Sequence, residues 1–99
     1  MRAFAVSAGT PNEFVERVSR ELDERGLGRY VDLHVDGSDL EVRFRWMGTS
    51  VLRYRLQTVD GGFRADLVGE RMSPLHGGFR HAFEERFDQV LGKVGAKTV

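Results

Sequence analysis

The chain has 99 residues, 15 of them basic and 15 acidic, a formal net charge of zero, no cysteine and 40% hydrophobic side chains. That length makes one domain, residues 1–99, burying roughly 60–65% of its extended surface around one modest core. Balanced charge argues against a dedicated nucleic-acid binder. The missing cysteines exclude disulfides, thiol chemistry and cysteine-ligated zinc or iron–sulfur centres.

No apolar run reaches the roughly 20 residues that a membrane-spanning helix needs. The stretch from Met1 to Ala8 is too short for a secretory leader, so a soluble, cytoplasmic protein is expected. Arg2 to Ser7 predicts a short edge strand. Thr10-Pro11-Asn12-Glu13 reads as a capping box with proline at the first helical position. The helix it opens carries Phe14, Val15, Val18 and Leu22 on one face, the spacing of a surface helix lying on a core. Gly26 is its expected C-terminal stop.

Four strands follow from Tyr30 to Met72, each alternating apolar and polar. Val31, Leu33 and Val35 share one face with Leu40, Val42, Phe44 and Trp46, then Leu52, Tyr54 and Leu56, then Phe63, Ala65 and Leu67. That pattern predicts an antiparallel sheet covered on one side. The turns are expected at Gly37-Ser38, at Gly48-Thr49-Ser50 and at Asp60-Gly61. The middle loop must have an odd length to keep the faces aligned. In this register Asp32 meets Arg43, Arg43 meets Arg55, Arg45 meets Arg53 and Arg55 meets Asp66. The expected row therefore reads Asp32, Arg43, Arg55, Asp66.

Ser73-Pro74 ends the last strand. Leu75, Phe79, Phe83, Phe87, Val90 and Leu91 mark a long C-terminal helix, its start blurred by Gly77-Gly78, which fit either the connection or the helix, and its end set by Gly92 and Gly95 before a frayed tail. The fold class is α+β: a two-layer domain with an antiparallel four-strand meander and a fifth, N-terminal edge strand. Two helices lie on its apolar face, in the order β-α-β-β-β-β-α.

Two surfaces are candidates for function. Arg43, Arg45, Arg53 and Arg55 project to the uncovered face as an anion-binding or partner surface, weighed against neutralisation by Asp32, Glu41, Asp66 and Glu70. Arg45 and Arg53 are where acidic neighbours are expected to be missing, with Tyr30 and Val68 flanking that row. Trp46, Tyr54, Phe79, Phe83 and Phe87 are candidates for a ligand cavity between the sheet and the last helix, weighed against simple core packing. Ala65 and Gly69 are the small residues expected on the inward side of the last strand.

His76 and His81 lack zinc-binding spacing, the serines lack a nucleophile-elbow context, and the glycine pairs are too short for a phosphate loop. No metal ligands, cofactor or catalytic residues are assigned.

The stretch from Gly62 to Leu91, GFRADLVGERMSPLHGGFRHAFEERFDQVL, resembles the end of small bacterial proteins of the polyhydroxyalkanoic-acid granule system. There an amphipathic strand leads through a short connection to a helix, and Phe87-Asp88 and Val90-Leu91 occupy similar places. The order of elements is similar to that family over about nine-tenths of the chain. The chain departs from it in the phenylalanines of its last helix and in its N-terminal strand. The resemblance implies a granule-associated accessory role without assigned catalytic residues. Frataxin is a second, more distant resemblance, but Arg17, Arg20 and Arg25 interrupt the acidic ridge that comparison requires.

The functional expectation is a non-enzymatic accessory or binding module that self-associates, as a homodimer or with another protein, in a storage-granule setting. The alternative is a small carrier or sensor holding a hydrophobic small molecule between the sheet and the C-terminal helix.

Overall fold

Thr10 starts the first helix as its sequence demands. Its hydroxyl accepts from the Glu13 amide at 3.2 Å, and the Glu13 carboxylate accepts from the Thr10 amide at 2.9 Å. In the computed structural model of the chain this helix is α1 (Pro11–Glu24), preceded by β1 (Ala3–Val6). Residues 1–99 are described, apart from the side chains of Phe79 and Arg80. Gly26 follows α1 in the left-handed region, and the Leu27 amide reaches back to the Leu22 carbonyl at 2.8 Å, a Schellman closure.

Then come β2 (Val31–Asp36), β3 (Asp39–Arg45), β4 (Thr49–Val59) and β5 (Gly62–Arg71). A 3-10 turn (Pro74–Phe79), α2 (Arg80–Lys93) and β6 (Ala96–Thr98) complete the chain. The result is a two-layer α+β domain whose six antiparallel strands run in the order β2-β3-β4-β5-β1-β6. Phe14, Val18 and Leu22 of α1, with Phe87, Val90 and Leu91 of α2, are buried together with Val42, Phe44, Tyr54, Phe63 and Ala65 of the sheet. Each fully buried aliphatic or phenylalanine side chain is worth roughly 1.5–3 kcal/mol over leaving it in water.

Two terminal segments differ from expectation. β1 lies inside the sheet, with β5 on one side and β6 on the other. The tail is therefore ordered as β6: Ala96 opposite Val6 is buried, while Lys97 to Val99 are exposed, so the last residues extend the sheet instead of fraying. The C-terminal helix also starts later than its stripe suggested. Pro74–Phe79 is 3-10, and Leu75, expected in the core, is 61% exposed.

Both outer hairpins have the expected pairing, Asp32 with Arg43 across the first and Arg55 with Asp66 across the last. The middle loop is three residues long, as the parity argument requires, but consists of Trp46-Met47-Gly48. Met47 and Gly48 take φ angles of +52° and +129°, so the reversal falls there, two residues earlier than expected. Arg43 then faces Val51 and Arg45 faces Thr49, whereas Arg53 faces Glu41 and Arg55 faces Asp39. An even displacement preserves the apolar face, which is why Leu52 and Tyr54 still point inward.

β5 carries a bulge. Leu67 faces Tyr54 and Gly69 faces Arg53, leaving Val68 without a partner in the ladder. Beyond it the alternation is reversed. Gly69 joins the outward side with Arg53, and Glu70, opposite Leu52, turns toward the helices.

Candidate functional site

Each arginine of the surface lies within 3.9 Å of a carboxylate, Glu41 serving two of them. Arg43 lies 3.1 Å from Glu41, Arg45 2.6 Å from Asp32, Arg53 3.9 Å from Glu41 and Arg55 3.0 Å from Asp39. The four-residue row expected across the sheet is absent, because the displaced loop separates Arg43 from Arg55. Asp66 is held by Arg64, whose Nε donates to Oδ2 and whose Nη2 donates to Oδ1, each at 3.0 Å, rather than by Arg55. The arginines expected to lack acids, Arg45 and Arg53, find them on neighbouring strands. Glu70, expected to help neutralise this face, has been turned away by the bulge.

The stronger candidate lies under α2. Two aromatic groups fill the space between sheet and helices. Phe14 of α1 packs against Phe4 and Phe63, with Tyr54 edge-on to Phe4. Beneath α2, Phe44 meets Phe83 at 5.2 Å and Phe87 at 5.5 Å. A cavity of about 560 Å³ opens beside this second group. Phe44, Leu52, Leu67, Phe83 and Phe87 supply its apolar wall, and Ser50, Tyr54, Glu70, His76, Glu84 and Asp88 its polar groups. A second, shallower recess of about 300 Å³ shares Phe44, Phe83 and Phe87 and is closed by Leu22, Leu27, Tyr30 and Trp46.

The structure thus brings together three of the expected cavity residues, Tyr54, Phe83 and Phe87. Trp46 belongs to the second recess, in an exposed loop, and the Phe79 side chain lies outside the described residues. The polar members are those that sequence reasoning passed over. Ser50 reads as a turn residue but enters β4 almost fully buried, because the loop moved upstream. His76 has no metal-binding spacing, and its burial depends on a 3-10 turn that composition does not announce.

Ser50 and His76 form a directed hydrogen-bond chain. Nε2 of His76 is 2.5 Å from the Trp46 carbonyl, which can only accept, so Nε2 carries the proton. Nδ1, 2.5 Å from the Ser50 hydroxyl, then accepts from it, and Ser50 Oγ accepts from the Ser73 amide at 2.8 Å. A serine donating to imidazole resembles a nucleophile–base pair. Here both side chains are at most 1% exposed, and the hydroxyl is committed at both its donor and an acceptor position. The chain ties β4, the hairpin loop and the 3-10 turn together and forms one wall of the cavity.

Tyr54, on the same strand as Ser50, lines the cavity together with the carboxylates of Glu70, Glu84 and Asp88. Its hydroxyl donates to the Met1 carbonyl at 2.6 Å. Burial pushes the phenol well above its usual range, and the carboxylates of Asp88, Glu84 and Glu70 add to the shift. Asp88 itself receives the Met1 ammonium at 2.5 Å. Among the described residues no cluster of three or more histidine or acidic side chains is arranged to hold a metal ion. Among the described residues, too, no helix is long and apolar enough to cross a membrane.

Compared with protein-family models, curated proteins and solved structures, the chain matches none.

Proposed function

We propose that the chain is a binding module that holds a hydrophobic small molecule between its sheet and its C-terminal helix. The observation that carries this reading is the cavity of about 560 Å³ beside Phe44, Phe83 and Phe87. Its volume falls in the roughly 300–1,000 Å³ typical of ligand sites, and its wall is divided between apolar and polar side chains, which suits a molecule with an apolar body and a polar end. The bulge that turns Glu70 to this side supports the reading, since bulges often re-aim side chains beside functional sites. The bound molecule would set its apolar body on the phenylalanines and its polar end near Tyr54 and Asp88.

The test is a native mass spectrum of gently purified protein, followed by titration with an environment-sensitive apolar dye. Retained mass or saturable dye binding is expected, and Leu67→Trp, which fills the cavity from β5, should abolish it. An empty protein whose dye response is unchanged by Leu67→Trp would sink the reading.

The accessory reading, a self-associating cytoplasmic module at a storage granule, draws its support from the order of elements and the uncovered sheet face. The ion pairs on that face reduce the positive charge that would attract an anionic partner. Copy number in the same spectrum tests it, with a dimer as the supporting result.

A further inference from the structure

We propose that the loop between β3 and β4, together with the adjoining 3-10 turn, is an interfacial anchor that seats this end of the molecule on an anionic phospholipid surface. Three large apolar side chains stand in water there: Trp46 is 39% exposed, Met47 71% and Leu75 61%. They come from two segments that touch. A Cβ placed on Gly48 would lie 3.7 Å from Leu75 Cδ1, so the loop and the turn form one tip. The residues at that tip, Trp46-Met47-Gly48-Thr49 and Ser73-Pro74-Leu75, carry no charge.

The tip is held rather than slack. The Trp46 ring stacks on His76 at 6.4 Å, within 14° of parallel, and the Trp46 carbonyl receives the His76 proton. Met47 keeps a left-handed backbone, φ +52°, which side-chain-bearing residues rarely adopt and where glycine or asparagine is usual. A long apolar residue at that position satisfies neither backbone preference nor solvation. Such local inconsistency is expected where a residue serves something outside its own chain.

Charge around the tip selects the surface. Arg29 precedes β2, Arg45 ends β3 and Arg71 ends β5, all at the end of the sheet that carries the loop. Arg29 and Arg71 are exposed and have no carboxylate partner among the described residues. Of the nearby acids, Asp32 is engaged by Arg45 and Glu70 faces the cavity. Tryptophan, with an apolar body and a polar N–H, suits the boundary between water and lipid, and flanking arginines attract anionic headgroups. A second copy of the chain is a poorer occupant. A stable interface needs roughly 800 Å² per partner, more than three side chains on a projecting tip provide.

Trp46 is the only tryptophan of the chain, so its emission reads the tip directly. Vesicles of phosphatidylcholine mixed with phosphatidylglycerol should shift that emission to the blue and sediment the protein. Phosphatidylcholine alone should do so less, and added salt should reverse the difference. Met47→Asp and Leu75→Asp should each weaken partitioning by about tenfold or more, the equivalent of losing one buried apolar side chain. Val59→Asp, changing a side chain 41% exposed at the far end of β4, should not. Arg29→Glu with Arg71→Glu should remove the preference for anionic vesicles. The proposal is overturned if anionic vesicles leave the emission unchanged, or if Val59→Asp weakens partitioning as much as Met47→Asp. It is equally overturned if Met47→Asp dissolves a dimer instead. Circular dichroism on each variant confirms that the exposed substitutions leave the fold in place.

Discussion

Ser50 Oγ lies 2.5 Å from His76 Nδ1, and this contact joins the first turn of β4 to the segment that leads into α2. Ser50 also accepts a hydrogen bond from the Ser73 amide, so one hydroxyl satisfies a buried ring nitrogen and a half-buried amide. Ser50→Ala leaves both without a partner, at about 1–3 kcal/mol for each. A loss of about 2–4 kcal/mol is expected in urea unfolding. A loss smaller than a typical surface substitution would show that the hydrogen-bond chain does not hold the turn.

Met47 and Gly48 make opposite predictions at neighbouring positions. Met47→Gly removes the steric penalty of the left-handed backbone and should raise stability by about 1 kcal/mol. Gly48→Ala should lower it by more than that. Its φ of +129° disfavours a side chain, and the new Cβ would come within 2.5 Å of Ser73 Oγ. Thermal unfolding of the two variants should move in opposite directions from the parent.

Tyr54 gives the cavity a spectroscopic signature. The chain has two tyrosines, so Tyr30→Phe leaves Tyr54 as the only phenol. In that variant the tyrosinate absorbance should be missing at pH 10.0, the ordinary midpoint, because burial first and then Asp88, Glu84 and Glu70 raise the folded value. The unfolded chain releases this proton more readily than the folded one. The contribution of Tyr54 to stability is therefore complete below the ordinary value and is lost as pH rises above it. Half-ionisation at pH 10.0 in the folded protein would refute the buried, carboxylate-flanked setting of Tyr54.

Glu21 links the two helices. It faces Lys93 at 3.0 Å and Arg25 at 3.5 Å and is nearly buried, although its place in the helix reads as solvent-facing. The hydrogen bond from Lys93 holds its carboxyl below the ordinary value of 4.5, burial opposes this, and Arg25 adds to it. A depressed folded value contributes stability that is present above pH 4.5 and lost as pH falls through the lower folded value. Glu21→Gln should therefore flatten the acid side of the melting-temperature profile. Identical acid limbs in parent and variant would rule the link out.

Much of the fold was legible in the residues. Thr10 and Glu13 announce a helix start because a capping box needs only local groups. Val42, Phe44, Leu52 and Tyr54 face inward as their alternation demands, and that alternation survives any even displacement of a loop. The site was less legible. Tyr54, Phe83 and Phe87 were identified as inward aromatic residues, but Ser50, His76 and Glu70 were not placed there. Their positions depend on a loop two residues upstream, a 3-10 turn and a bulge at Val68. Each is a local departure from regular structure that hydrophobic periodicity cannot express.

The sequence alone determined the two-layer class, the single apolar sheet face, the first helix with its cap and two of the three hairpin registers. These follow from interactions between near neighbours and from side-chain period. Only the tertiary structure decided that β1 lies inside the sheet and the tail pairs beside it, which acid answers which arginine, and that a cavity opens beside Phe83. Those features depend on which strands meet and where a loop reverses, and such long-range choices are settled by packing of the whole chain.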